Sequence, residues 1–394
     1  MIKLGGVGKS FQDAPPYLHP RPLSAGEGSE ILRLSTGRSE ARLVAAGRAC
    51  HTALMRKPLL LAAALIAPLV TAPAPLAAQA SAAQAAGKTK PSPLAPSEIV
   101  AAAPKADWTR IAPSDLLVME LTPDAKGKPR RVVIQLMPPP FSQGWIGNIR
   151  KLAAAHWWDG MSINRVQDNY VVQWGDPNAD DKVKAKALPA GMATMAESEY
   201  VQRMRQEMVV DGEASGVVLA PELTAQLGPD PYSNSSGFID GWPVAASAPQ
   251  QAQYWPVHCY GMVGVGRDLS PNTGSGAELY VVIGHAPRHL DRNIALAGRV
   301  IEGIEYLSSL PRGHGGLGFY DLEQGDERVA IQSIHPGVEV KDLPAYEYLT
   351  TDSRSFAKYA DARANRRDAF FIRPAGGADI CNIPVPVRRS TGSR

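Results

Sequence analysis

Ile163-Asn164-Arg165-Val166, continued after Gln167-Asp168 by Asn169-Tyr170-Val171-Val172-Gln173-Trp174-Gly175-Asp176-Pro177, is the stretch whose reading decides the fold. Residues 169–173 are rich in β-branched and aromatic side chains and read as a strand. Upstream, residues 116–121 and 131–136 read as the arms of a hairpin, with a turn over 124–128. Between hairpin and strand, residues 148–155 hold good helix formers with apolar positions at helical spacing. Downstream, 260–265, 278–283, 295–300 and 329–334 are further strand candidates, and 300–309 is expected to form a second helix. Many short strands with few helices predict an antiparallel barrel or sandwich over residues 114–340.

The segments outside this core read differently. Met55-Arg56-Lys57 leads into the apolar run 58–70, and Ala78-Gln79-Ala80 follows. A basic start, a short apolar core and a small-residue site are the parts of a secretory signal, with cleavage expected near Ala80. Pro68 interrupts the run, which falls short of the ~20 residues of a spanning helix, so no stable membrane anchor is expected. Residues 1–54 show no sustained period and are expected to be a mis-assigned or disordered extension, with Met55 the true start. Residues 81–113, rich in Ala, Pro, Ser and Lys at their start, are expected to form a flexible linker. Residues 178–256 read as an insert with a helix around 197–208 and then a Pro/Gly/Asn/Ser-rich run. Residues 341–394 read as a C-terminal extension with a helix over 352–366 and a strand over 369–372.

Charge narrows the partners. Of 41 basic and 38 acidic residues, nine and four fall within residues 1–80, so the formal +3 becomes about −2 for the remainder. The basic excess belongs to the leader, and no nucleic-acid partner is expected. Beyond Cys50 in the leader, Cys259 and Cys381 remain. An even count in an oxidising compartment permits a disulfide; two separate buried thiols are the competing reading.

Several blocks of sequence, in the family's order along the chain, resemble the cyclophilin signature. Asp159-Gly160, then Ile163-Asn164-Arg165-Val166, then Gln173-Trp174-Gly175-Asp176-Pro177 resemble its Tyr-Asp-Gly, Phe-His-Arg-Val and Gln-Gly-Gly-Asp-Pro. Asn148 and Lys151-Leu152 fall where the family has Asn-Phe and Lys-Leu. Pro271-Asn272-Thr273 with Gly274-Ser275-Gly276, and Leu290-Asp291 through Gly298-Arg299-Val300, match two later blocks. The resemblance covers roughly 114–336 apart from the insert, and is to bacterial, exported members with a divergent pocket. It implies a closed eight-stranded antiparallel β-barrel capped by two helices, and peptidyl-prolyl cis–trans isomerisation of proline-containing polypeptides outside the cytoplasm, in the periplasm or secreted. No cofactor or metal is implied, because no bond is made or broken, and a monomer is expected.

The resemblance also assigns roles. Arg165 falls on the catalytic arginine, a guanidinium able to donate to the proline nitrogen when the amide twists. Gln173 falls on the glutamine that holds substrate backbone and arginine; a barrel-mouth residue with only structural bonds is the competing reading. Tyr170, Val171 and Tyr280 stand where the proline pocket has Phe, Met and Phe. Glu278 replaces a glutamine, Gly266-Arg267 an Ala-Asn pair, and Ile294 the pocket histidine. His289 falls near a bulky aromatic, with Leu290 beside it. These departures leave room for a second function, a non-catalytic peptide-binding or chaperone module.

Other signals are weaker. His285, His289 and Asp291 invite a metal reading, but Pro287 breaks the helix that would present both histidines. Trp157-Trp158 reads as packing for the first helix. His258 beside Cys259 is not a nucleophile pair, since no orienting acid is identifiable. Gly313-His314-Gly315-Gly316 reads as a turn.

Overall fold

The hairpin forms first in sequence and sets the barrel. Leu116–Leu121 (β1) and Arg130–Leu136 (β2) pair antiparallel in unbroken register, Leu116 opposite Gln135 and Leu121 opposite Arg130. Asp124 closes the turn by accepting the N–H groups of Lys126 and Lys128 at 2.9 and 2.8 Å. The computed structural model describes residues 92–203, 206–210, 213–217, 223–248 and 253–390, together with the strand Ile2–Lys3. The expected signal segment, 55–80, and nearly all of 1–54 lie outside the described residues.

Six more strands complete an eight-stranded antiparallel sheet: Ser162–Val166 (β3), Val171–Gly175 (β4), Met262–Val265 (β5), Leu279–Val282 (β6), Leu296–Glu302 (β7) and Ile331–Pro336 (β8). The spatial order is β8-β1-β2-β7-β5-β6-β4-β3, and a bridge from Ser162 to Ala330 brings β3 back against the start of β8. The sheet is thereby curled into a nearly closed barrel, which leaves its strands almost no free edge. Alternation fills it: Val172 and Trp174 on β4, and Leu279 and Val281 on β6, point into the main core. Val171, Tyr280 and Val282 point outward into a second, small apolar cluster with Ile294.

Helix Gln143–Ala154 (α2) covers one barrel opening. Trp145, Ile146, Ile149, Leu152 and Ala153 lie on one stripe of it and are buried. Trp158, after the helix, is fully buried and donates to Ala277 O at 2.8 Å, in line with the packing role expected for the Trp157-Trp158 pair. The second helix is shorter than expected. Residues 300–302 stay in β7 because Val300 pairs with Ile134 and Glu302 with Val133. Gly303 then turns at φ +85°, where a Cβ would lie 2.1 Å from Arg131 O, and only Glu305–Ser308 (α3) is helical.

Three expectations outside the barrel are corrected. Of the flexible linker expected over 81–113, residues 81–91 lie outside the described residues, and the remainder carries regular structure. Pro96–Ala101 is a helix (α1), and Trp108–Ile111 is a strand paired with Tyr346–Leu349, which pairs in turn with Val387–Arg389. Trp108 and Ile111 are buried there, so a strand far along the chain supplies the order that local composition does not. The helix expected around 197–208 is a single 3-10 turn, Glu197–Tyr200, followed by strands. Tyr200 stacks on Trp145 at 5.4 Å, and Gln202–Arg203 joins the edge of a five-stranded sheet built inside the insert. The strand expected over 369–372 does not form. Phe370 and Ile372 are 84% and 96% exposed with no partner strand. The helix expected over 352–366 does form, as Arg354–Ala364 (α4), with the Ser353 side chain accepting from Phe356 N at 3.0 Å.

The insert and the extension close on the barrel. Phe356 of α4 meets Phe238 of the insert edge-to-face at 4.9 Å. Cys259, just before β5, is joined to Cys381 of the extension by a disulfide. Among the described residues, no helix is long and apolar enough to cross a membrane.

Candidate active site

The outer face of β3, β4 and β6 carries the site, and a defect in β3 aims its central residue. Ile163 and Val166 both lie in the barrel core although they are three residues apart, which a regular strand cannot achieve. A register shift between Ile163 and Arg165 resolves this by turning Arg165 onto the outer face. There it lies opposite Gln173 of β4, which is itself opposite Tyr280 of β6. Strand pairing thus brings together three residues that the sequence separates.

Arg165 is 4% exposed, and its guanidinium bonds to oxygen atoms that carry no charge. Nε donates to Leu317 O at 2.7 Å, Nη1 to Gln173 Oε1 at 3.4 Å and Nη2 to Gln167 Oε1. Its carbon sits 5.6 Å from the Tyr170 ring centre and 5.4 Å from that of Phe319, within cation–π range. Burial pulls its pKa below the usual arginine value, as expected for a cation without a carboxylate partner. Gln173 uses both ends of its amide: Oε1 accepts from Arg165, and Nε2 donates to Glu278 Oε2 at 2.9 Å.

Beside the guanidinium opens a cavity of ≈ 180 Å³, lined by Arg165, Gln173, Tyr170, Val171, Tyr280, Leu290 and Ile294 together with Gln167 and Leu317. Its walls are mostly apolar, with donors gathered at one end. Gly266, Arg267 and Glu278 are not among its walls. They line an adjoining cavity of ≈ 630 Å³ with Asp176, Lys186 and Thr273, and the Gln173–Glu278 hydrogen bond spans the boundary between the two. His289 lines neither cavity and instead lies parallel to the Tyr170 ring, 6.3 Å between centres.

Sequence reasoning missed Gln167 and Leu317. The signal for Leu317 was present in part: the glycine-rich turn it follows ends in a tight loop, with Leu317 at φ 58° and Phe319 bridged to Arg165. That loop supplies the carbonyl holding Arg165.

Behind the cavity, His258 has the acidic partner that the sequence did not reveal, which corrects the expectation that none exists. His258 Nδ1 lies 2.8 Å from Asp291 Oδ1, and Nε2 lies 2.8 Å from the Tyr280 hydroxyl. Burial, first of all, raises the Tyr280 pKa well above its ordinary value, so the hydroxyl stays protonated. Cys259 is held in its disulfide and is no nucleophile.

Asp291 is therefore engaged with His258, away from any metal set with His285 and His289. Among the described residues, one other group of ligand types gathers: His156, Asp159 and His335. Its ligand atoms lie within 4.8 Å of one another, and its two imidazoles are stacked at 3.9 Å with 23° between planes. Hydrogen bonding accounts for the group: His335 Nε2 to Asp159 Oδ2 at 2.8 Å and His156 Nε2 to Glu339 Oε2 at 2.9 Å.

Residues 144–334 match the family model for cyclophilin type peptidyl-prolyl cis-trans isomerase/CLD. Among solved structures, cyclophilin AquaCyp293 from Hirschia baltica is similar at 20% identity and a TM-score of 0.50, over 72% of this chain and 95% of that one. A cyclophilin type peptidyl-prolyl cis-trans isomerase from Cryptosporidium parvum, crystallised in the presence of the dipeptide ala-pro, aligns at 12% identity and a TM-score of 0.32, over 56% of this chain and 98% of that one. No curated protein matches the chain in sequence. Residues 144–334 are thus similar to the cyclophilin-type family, and the nearly closed eight-stranded barrel has the cyclophilin fold.

Proposed function

We propose that this protein is a peptidyl-prolyl cis–trans isomerase of exported polypeptides, with Arg165 as the hydrogen-bond donor to the twisting amide. The observation that carries this reading is a buried guanidinium, bonded only to uncharged oxygens, at the polar end of an apolar cavity of ≈ 180 Å³.

Resonance gives the X–Pro bond a barrier of about 18–20 kcal/mol, and uncatalysed exchange takes tens to hundreds of seconds. At the twisted state, conjugation is lost and the proline nitrogen carries a localised lone pair. A donor placed there stabilises the twisted state more than either planar isomer, which is what lowers a barrier. Val171, Tyr280, Leu290 and Ile294 offer the apolar surface that holds a pyrrolidine ring while the preceding carbonyl rotates. Gln173 then keeps Nη1 aimed, because its own amide is fixed by Glu278. The leader at 55–80 suits substrates in the periplasm or outside the cell, and the near-neutral remainder suits unfolded segments of varied charge.

A second reading, a peptide-binding module without turnover, is favoured by one observation: Nε, Nη1 and Nη2 of Arg165 all have acceptors within the protein. Catalysis requires substrate to displace at least one of them. A protease-coupled assay on a proline tetrapeptide separates the readings. Catalysis by wild type that falls about 10²–10³-fold in Arg165→Ala, the loss typical of one oriented donor, supports isomerisation. Peptide binding without catalysis in wild type overturns it in favour of the binding module.

A further inference from the structure

Tyr280 lines the cavity of ≈ 180 Å³, and its hydroxyl is the end of a buried chain of polar groups behind it. The ring fits because Gly264 of β5 lies beneath it; a Cβ there would come within 2.2 Å of the hydroxyl. Asp291 Oδ1 accepts both the backbone N–H of His258, at 3.0 Å, and the Nδ1–H. With that proton directed at the carboxylate, Nε2 is the acceptor for the Tyr280 O–H. Asp291 Oδ2 accepts from Arg288 Nε at 2.7 Å. Tyr280, His258, Asp291 and Arg288 are each no more than 3% exposed.

Arg288 is where the added segments arrive. Its Nη1 donates to Asp230 of the insert at 3.1 Å and lies 3.6 Å from Asp379 of the extension. Its guanidinium also sits 5.1 Å from the ring centre of Tyr232 in the insert. Asp379 is fixed in turn by accepting from Cys381 N at 2.8 Å, and Cys381 is bonded to Cys259, the residue after His258. Two segments absent from a bare barrel therefore meet the same buried cation, and one of them is anchored beside the histidine.

We infer that the insert and the C-terminal extension set the shape of the proline cavity through the chain Arg288–Asp291–His258–Tyr280, which makes His258, Asp291 and Arg288 positioning residues for Tyr280. The physical ground is that a buried donor and acceptor tie each other down. Tyr280 can leave its seat only by abandoning a buried imidazole nitrogen without a partner. This inference rests on the cavity being a proline site.

The test titrates a fluorescent Ala-Pro tetrapeptide into the full chain and compares Tyr280→Phe, His258→Leu, His258→Gln and the double variant Tyr280→Phe/His258→Leu. Each of the first two is expected to raise Kd about fivefold, the ratio matching about 1 kcal/mol for one hydrogen bond. Because both cut the same bond, the double variant should be no weaker than the single ones, and His258→Gln, which keeps an acceptor near the Nε2 position, should restore affinity. Asp230→Asn, which removes only the insert's hold on Arg288, covers the case in which His258→Leu fails to fold. It should raise Kd about twofold, as suits a partly exposed ion pair, and add nothing in the Tyr280→Phe background.

Unchanged or additive affinities with an intact wild-type site overturn the inference and leave the isomerase reading standing. If wild type neither binds nor turns over the peptide, the isomerase reading fails instead. The chain is then judged by the NMR line shape of the Tyr280 ring: faster ring flipping in Asp230→Asn supports the coupling, and an unaltered rate refutes it.

Discussion

Breaking the Cys259–Cys381 disulfide should cost this protein a large part of its stability without releasing the extension it anchors. The two cysteines are 122 residues apart in sequence and 5.0 Å apart at Cα. In the chain-entropy model, closing a loop of that length removes about 5 kcal/mol worth of freedom from the unfolded chain at 25 °C. Typical domains have only about 5–15 kcal/mol in total. The native extension is held independently: Val387–Arg389 pairs with Tyr346–Leu349, Arg389 grips Glu302, and Phe356 is fully buried against Phe238. Reduction should therefore act on the unfolded state and leave the folded one in place. Urea unfolding of wild type with and without a phosphine reductant, and of Cys381→Ser, reads the effect as a fall in midpoint. Limited proteolysis checks that residues 341–390 stay attached. A loss under about 1 kcal/mol refutes the reasoning, because the loop would then be nearly closed already in the denatured chain. Early cleavage of the extension refutes the other half, by showing that the bond holds a segment the packing does not.

Two further outcomes follow from the same geometry. Gly264→Ala places a methyl group where the Tyr280 ring sits, so it should destabilise by about 1–3 kcal/mol, as overpacking does, and weaken peptide binding together with the Tyr280–His258 bond; an unchanged melting temperature counts against the described seat. Glu302 accepts from Arg389 and from the Tyr346 hydroxyl, and the Arg389 contact above all holds its pKa below the ordinary glutamate value of 4.5. A carboxylate depressed in the folded state contributes stability above its unfolded value and loses it as pH falls through the folded one. Glu302→Gln should accordingly flatten the acid side of the stability curve below about pH 4.5 and matter less below the folded value, measured by urea midpoints across pH; parallel curves for variant and wild type would sink the assignment.

The barrel was legible because its signals are local. The β-branched and aromatic residues of Val171–Gly175 and Leu279–Val282, and the turn chemistry of Asp124, sit within a few positions of one another. Arg165 and Gln173 were legible by resemblance, since they sit in one short run, and strand pairing then set them opposite each other. Seven of the eleven groove residues share one cavity; Gly266, Arg267 and Glu278 line the next, and His289 lines neither, because the loop carrying it packs on Tyr170 from outside.

What the sequence by itself determined is therefore the strand pattern, the family resemblance and the donor at the centre of the site. Only the tertiary structure decided the rest. Trp108–Ile111 became a strand because Tyr346–Leu349 lies beside it, and the helix expected after Glu197 gave way because Gln202–Arg203 found an edge to pair with. His258 has no visible acid in its own neighbourhood; Asp291 reaches it across the fold, and Arg288 then ties both to the insert and the extension. The reason is common to all three. A local pattern records what a residue needs from its neighbours in sequence, whereas a buried polar group or a short strand is satisfied by partners the chain brings from far away.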